Sequence, residues 1–169
     1  MSKLFTIALL SFLFTNTTFA QHDTELKAGD QSPELKLYRE DNGQIQLQDI
    51  DSEYILLIFW HYKCSHCQKA LTKIDKFLSD EKPVGLKILS IYPFAEEVEK
   101  FWSYVNDPLN LLSDPVFIHS TDPKAATRRS FSQKSGQPPL LILINISGKI
   151  LEMNVKAQDL KEIWKALPK

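Results

Sequence analysis

The sequence predicts an α/β fold in which a central mixed β-sheet is flanked by helices. Three observations carry this. Apolar runs of strand length alternate with segments whose apolar residues recur at helical spacing. The run Glu53–Trp60, "EYILLIFW", is nearly continuous, as a strand buried on both faces must be. Near the C-terminus, Ser147-Gly148 folds one strand back on its neighbour, which brings antiparallel pairing into the sheet.

The elements follow in order. Residues 21–33 are polar, hold Gly29, Asp30 and Pro33, and read as an irregular lead-in. Glu34–Arg39 alternates as a strand does, Asn42-Gly43 is a hairpin signal, and a second short strand follows, giving an N-terminal β-hairpin extension. After the buried strand at 53–60, Cys67, Ala70, Leu71, Ile74, Phe77 and Leu78 mark a helix, closed by Pro83 and Gly85. Val84–Tyr92 is another buried strand, and Ala95–Asp107 a helix ended by Asp107-Pro108. "VFIHS" is a short strand. Asp122-Pro123 opens a helix through "KAATRRSFSQK" as N-cap and first helical residue. Pro139–Ile146 and "KILEMNV" form the antiparallel pair, and "AQDLKEIWKAL" is a final amphipathic helix.

The chain has 169 residues, 43% hydrophobic and 24% charged, which suits one domain with a real core. A formal net charge of −1 without a basic stripe excludes the electrostatic footprint of a nucleic-acid binder. Residues 1–20 combine Lys3, an apolar run from Leu4 to Phe14, and Thr18-Phe19-Ala20 as a small-x-small site. That is the pattern of a signal peptide cleaved after Ala20, leaving a domain at 21–169. The apolar run falls short of the roughly 20 residues that span a bilayer. The expectation is therefore an exported, periplasmic protein with no membrane span in its mature form, acting as a monomer.

Both cysteines of the chain lie in "FWHYKCSHCQKAL", Phe59 to Leu71. A disulfide between residues three apart closes too small a loop to stabilise a fold by entropy, so a chemical role is the better reading. A buried strand ends at Trp60 and a helix begins near Cys64. That puts Cys64 at a helix N-terminus, where unpaired N–H groups and the dipole favour an anion, here a thiolate. Lys63 and His66 are the expected tuners of that thiolate. Cys67, one turn on, is the more buried partner. Three readings stay open: a redox pair, a soft metal site built from His61, Cys64, His66 and Cys67, and a redox-inert binding module.

The strand–turn–helix carrying Cys-x-x-Cys resembles the active site of thioredoxin-fold thiol–disulfide oxidoreductases. "AGDQSPELKL", "NGQIQLQDI" and "PLLILINISGKI" are similar to the TlpA/ResA-like exported branch of that superfamily, from about Ala28 to the C-terminus. The resemblance implies a thioredoxin-like fold and disulfide exchange with protein thiol/disulfide substrates and a redox partner. It implies no cofactor beyond a redox-active disulfide, Cys64–Cys67, with Cys64 as nucleophile and Cys67 as resolving thiol. It further implies that Pro139 is a cis-proline facing the pair, with Pro138 beside it on the substrate side; Trp60 is a candidate substrate-facing residue and reads equally as strand-end core. Pro138 stands where the family's backbone pairs with substrate, yet it has no N–H to give.

Other departures concern acids. Ile58 and Ala70 stand where relatives carry carboxylates near the pair, and Thr72 stands where a helix-kinking proline is common. The "SH" between the cysteines resembles oxidising relatives such as DsbA, whereas the wider frame resembles a reductase. A thioredoxin-fold copper or zinc chaperone is the alternative of a different class. The remaining candidates read blandly. Arg128-Arg129, Glu96, Glu97 and Glu99 are solvated helix faces, Trp102 and Trp164 are core, His61 is a rim residue, His22 lies in the lead-in and His119 on a surface segment.

Overall fold

In a computed structural model, which describes residues 25–131 and 138–168, five strands form one mixed sheet in the order β3-β2-β1-β4-β5. The strands are β1 (Tyr54–Phe59), β2 (Leu86–Tyr92), β3 (Phe117–Thr121), β4 (Leu140–Asn145) and β5 (Ile150–Glu152). The helices are α1 (Ser65–Glu81), α2 (Val98–Val105), α3 (Ala126–Phe131) and α4 (Leu160–Ala166). β1 pairs parallel with β2 and antiparallel with β4. The expected signal peptide lies outside the described residues, as does the end of the helix expected through Lys134.

β1 sits at the centre because its side chains are apolar on both faces. Leu56, Ile58 and Trp60 join one core with Cys67, Leu71 and Ile74 of α1, Phe101 and Val105 of α2, and Leu160 of α4. Ile55, Leu57 and Phe59 point the other way, toward Leu35, Leu37, Ile45 and Phe131 of α3. The period of two along the strand thus divides the molecule into two apolar layers.

Three expectations change. The N-terminal hairpin does turn at Asn42-Gly43, with Arg39 N–H bonded to the Gly43 carbonyl and Ile45 N–H to the Leu37 carbonyl. Its arms, however, make only isolated bridges, because Tyr38 also exchanges backbone bonds with Thr121 at the end of β3. The lead-in is not merely irregular. Gly29 N–H bonds to the Ile150 carbonyl and Ile150 N–H to the Asp30 carbonyl, so the segment covers the open edge of β5. α3 begins at Ala126 rather than at Pro123, with Ala125 at φ 48° before it. Asp122 still caps this helix, its carboxylate accepting N–H bonds from Ala126 at 2.8 Å and Arg128 at 2.9 Å.

The antiparallel register decides where the chemistry sits. Phe59, the last residue of β1, lies opposite Leu140, the first of β4. The segment leaving β1 therefore meets the one entering β4, and Cys64 meets Pro138 and Pro139.

Candidate active site at the Cys64–Cys67 pair

Past Phe59 the chain stays beside β2 for one residue, as Trp60 N–H bonds to the Ile91 carbonyl at 3.1 Å. A turn follows. Cys64 N–H bonds to the His61 carbonyl at 3.0 Å, Lys63 N–H to His61 Nδ1 at 2.9 Å, and the Gln68 side-chain amide to the Tyr62 carbonyl at 2.9 Å. These bonds fix the angle at which α1 leaves the sheet.

Cys64 is the N-cap of α1, with an extended backbone at φ −86° and ψ 113°. Its Sγ accepts the Cys67 N–H at 3.2 Å, taking the place that Ser, Thr or Asp oxygens usually fill at this position. The first turn of α1 holds no acidic residue, so its positive end is left to the sulfur. Cys64 is half-buried, whereas Cys67 is fully enclosed in the core, and both are free thiols. Burial first, then the hydrogen bond to Cys64, push the Cys67 thiol up to about 12.

Across the cleft the Pro138–Pro139 peptide bond is cis, and the Cys64 thiol points at the Pro138 carbonyl, 3.7 Å away. Beside the pair a groove of about 250 Å³ runs between Ala70 of α1, Pro139 and the 154–157 segment, with Lys156 in its lining. Ala70 opens this groove, while Ile58 is sealed in the core.

Several expected site residues stand elsewhere. Trp60, expected to face substrate, is 0% exposed. It continues the inward face of β1 and donates its indole N–H to Ser90 Oγ at 2.8 Å. Lys63, expected beside the Cys64 sulfur, gives its ammonium to Glu97, 2.7 Å from both carboxylate oxygens. Glu97 is not a solvated bystander. Lys100, Lys63 and Tyr62 together hold its carboxyl down at about 2.

His61 is not a rim residue either. It stacks on Tyr62 with ring centroids 4.9 Å apart and packs edge-on against Phe94, and burial lowers its pKa. His66, the other expected tuner, is exposed on the first turn of α1. Among the described residues no three His, Cys, Asp or Glu side chains group to hold a metal ion, so the arrangement of His61, Cys64, His66 and Cys67 around one ion does not form. Helix geometry turns His66 to solvent and Cys67 to the core.

His119 also departs from expectation. On β3 it stacks on Phe117, and its Nε2 lies 2.9 Å from the Leu112 carbonyl. Neither it nor Glu97 had a local signal. Each has partners brought in from elsewhere in the chain, the Leu112 carbonyl for His119 and Tyr62 and Lys63 for Glu97.

Among solved structures the chain is similar to a thioredoxin-like protein from Bacteroides caccae, at 20% identity and a TM-score of 0.65. That match covers 83% of this chain but only 50% of the other, so the chain spans half of that relative's length. It is also similar to a thiol:disulfide interchange protein from Bacteroides sp., at 21% identity and a TM-score of 0.63, covering 82% of this chain and 88% of that one. A third likeness is to a candidate thiol:disulfide interchange protein, DsbE, from Chlorobium tepidum. There the identity is 22%, the TM-score 0.65, and the coverage 83% and 97%. These likenesses show a thioredoxin-like fold. No curated protein matches the sequence. The family model described as AhpC/TSA matches residues 28–151, well over half of the sequence, and the chain belongs to that family.

Proposed function

We propose that the protein is a thiol–disulfide oxidoreductase that exchanges disulfides with protein clients through Cys64 and Cys67. The observation that carries this is the asymmetry of the pair. One sulfur is half-exposed at a helix N-terminus and accepts an N–H bond, while the other is a buried, strongly protonated thiol one turn away. In the reducing direction, the Cys64 thiolate attacks one sulfur of a client disulfide. A Cys64–client bond forms, the client S–S bond breaks, and the displaced client thiolate takes up a proton. Cys67 then gives up its proton and attacks Cys64 Sγ, releasing the second client sulfur as a thiol. Two electrons pass to the client, and a Cys64–Cys67 disulfide remains for a dithiol reductant to restore. The oxidising direction is the same sequence reversed.

The frame from Ala28 to the C-terminus supports the TlpA/ResA-like branch and an exported, periplasmic site of action, with the leader at residues 1–20 removed. The solved likenesses include thiol:disulfide interchange proteins. Among the described residues no helix is long and apolar enough to cross a membrane. A direction is favoured by the same frame: a reductase. The exposed His66 between the cysteines favours a potential more oxidising than is typical of reductases of that branch. Equilibration with a glutathione redox buffer tests this. The expected value lies above the roughly −270 mV of thioredoxin. A value near that of DsbA, about −120 mV, would instead make the protein an oxidase.

A further inference from the structure

Glu97 gathers three donors from two parts of the chain. Its Oε2 accepts the Tyr62 hydroxyl at 2.8 Å, both oxygens accept the Lys63 ammonium at 2.7 Å, and Oε1 accepts Lys100 at 2.8 Å. Tyr62 and Lys63 are the two residues immediately before Cys64. A carboxylate 34 positions from Lys63 therefore grips the turn that delivers the sulfur.

Both ends of the grip are built. At the turn, the Lys63 backbone is tied to His61 Nδ1, and the ammonium lies 5.5 Å from the centroid of the Tyr62 ring. At the other end, Glu97 precedes α2 in the left-handed region at φ 59°. A non-glycine residue is uncommon there and needs its surroundings to hold it.

A cation beside a reactive cysteine ordinarily favours its thiolate. Here the hydrogen bonds of the Lys63 ammonium go to Glu97, while the Cys64 sulfur meets the Cys67 N–H and the Pro138 carbonyl. We propose that Glu97 is a positioning residue that holds the Lys63 ammonium off the Cys64 sulfur, so that closing or opening this ion pair sets how reactive Cys64 is. The inference rests on the reading of Cys64 as the attacking sulfur.

The test is iodoacetamide alkylation of Cys64, followed against pH in four reduced proteins: the native chain, Glu97→Gln, Lys63→Met and the double variant. Glu97→Gln is expected to alkylate roughly threefold faster at mildly acidic pH, because a released ammonium beside the sulfur makes it the better nucleophile. That gain should vanish once Lys63 is also replaced, so that the double variant matches Lys63→Met. No gain in Glu97→Gln overturns the proposal. So does a gain of equal size in the Lys63→Met background, because the carboxylate would then act on the sulfur directly. If Glu97→Gln fails to fold, Glu97→Asn, uncharged and tolerant of the left-handed backbone at φ 59°, enters the same cycle under the same criteria. Alkylation needs no client, so a failure to exchange protein disulfides would defeat the proposed function while leaving this cycle readable.

Discussion

The backbone N–H of Cys67 donates to the Sγ of Cys64 at 3.2 Å, so the first cysteine caps the helix at the main chain of the second, whose own thiol stays in the core. Differential labelling should follow. With the Cys67 thiol at about 12, brief alkylation of the reduced native protein at neutral pH should modify Cys64 alone. Cys67 should label only after denaturation. Mass spectrometry of the peptide spanning both residues reads the difference.

Trp60 and Ser90 test the floor of the site. Ser90 is fully buried, and its hydroxyl is the partner of the Trp60 indole N–H. Ser90→Ala leaves that donor unsatisfied in the core and should cost about 1–3 kcal/mol in urea unfolding. Because Trp60 is sealed from solvent, the same variant should change client exchange little. A large loss of exchange with stability intact would restore Trp60 to the substrate face.

His119 gives the fold an acid sensitivity. Burial lowers its pKa, against the smaller opposing effect of its hydrogen bond to the Leu112 carbonyl. Its folded pKa is below the unfolded 6.5, so the unfolded state binds the extra proton first. Stability should be fully present above about 6.5 and fall as pH drops below it. His61, also lowered, acts in the same sense. Thermal midpoints of His119→Gln measured across this range should show a flatter pH dependence than the native protein. An unchanged slope would remove His119 from this role.

Asp122 anchors α3 from four residues before its start. Asp122→Ala removes both N–H acceptors at once and should destabilise the protein by about 1–2 kcal/mol, with Asp122→Asn less affected. Chemical denaturation of the two variants decides it.

Much of this was legible in the sequence because the signals were local. The apolar run at 53–60 has the length and composition of a central strand, and the spacing after Cys64 is that of a helix, as both are. Together they placed the cysteine pair at a strand–helix junction. The rest depended on contacts between elements. The hairpin arms read as strands because they alternate, yet Tyr38 shares its backbone bonds with Thr121, 83 residues away. α3 started late because Asp122 reaches forward with its side chain rather than beginning the helix itself. Glu97 looked like part of an acidic surface, and only folding brings it to Lys63. His119 sits in a short alternating run that does not reveal which distant neighbours cover it, Phe101 of α2 and the Leu112 carbonyl.

The central claim is that Cys64 attacks and Cys67 resolves. The most direct measurement is to express the full-length Cys67→Ala chain and look for mixed disulfides on non-reducing gels. Adducts that dithiothreitol dissolves, and that disappear in the Cys64→Ser, Cys67→Ala double variant, are the expected result. Adducts that persist without Cys64, or a Cys67→Ala protein that captures no client at all, would contradict it.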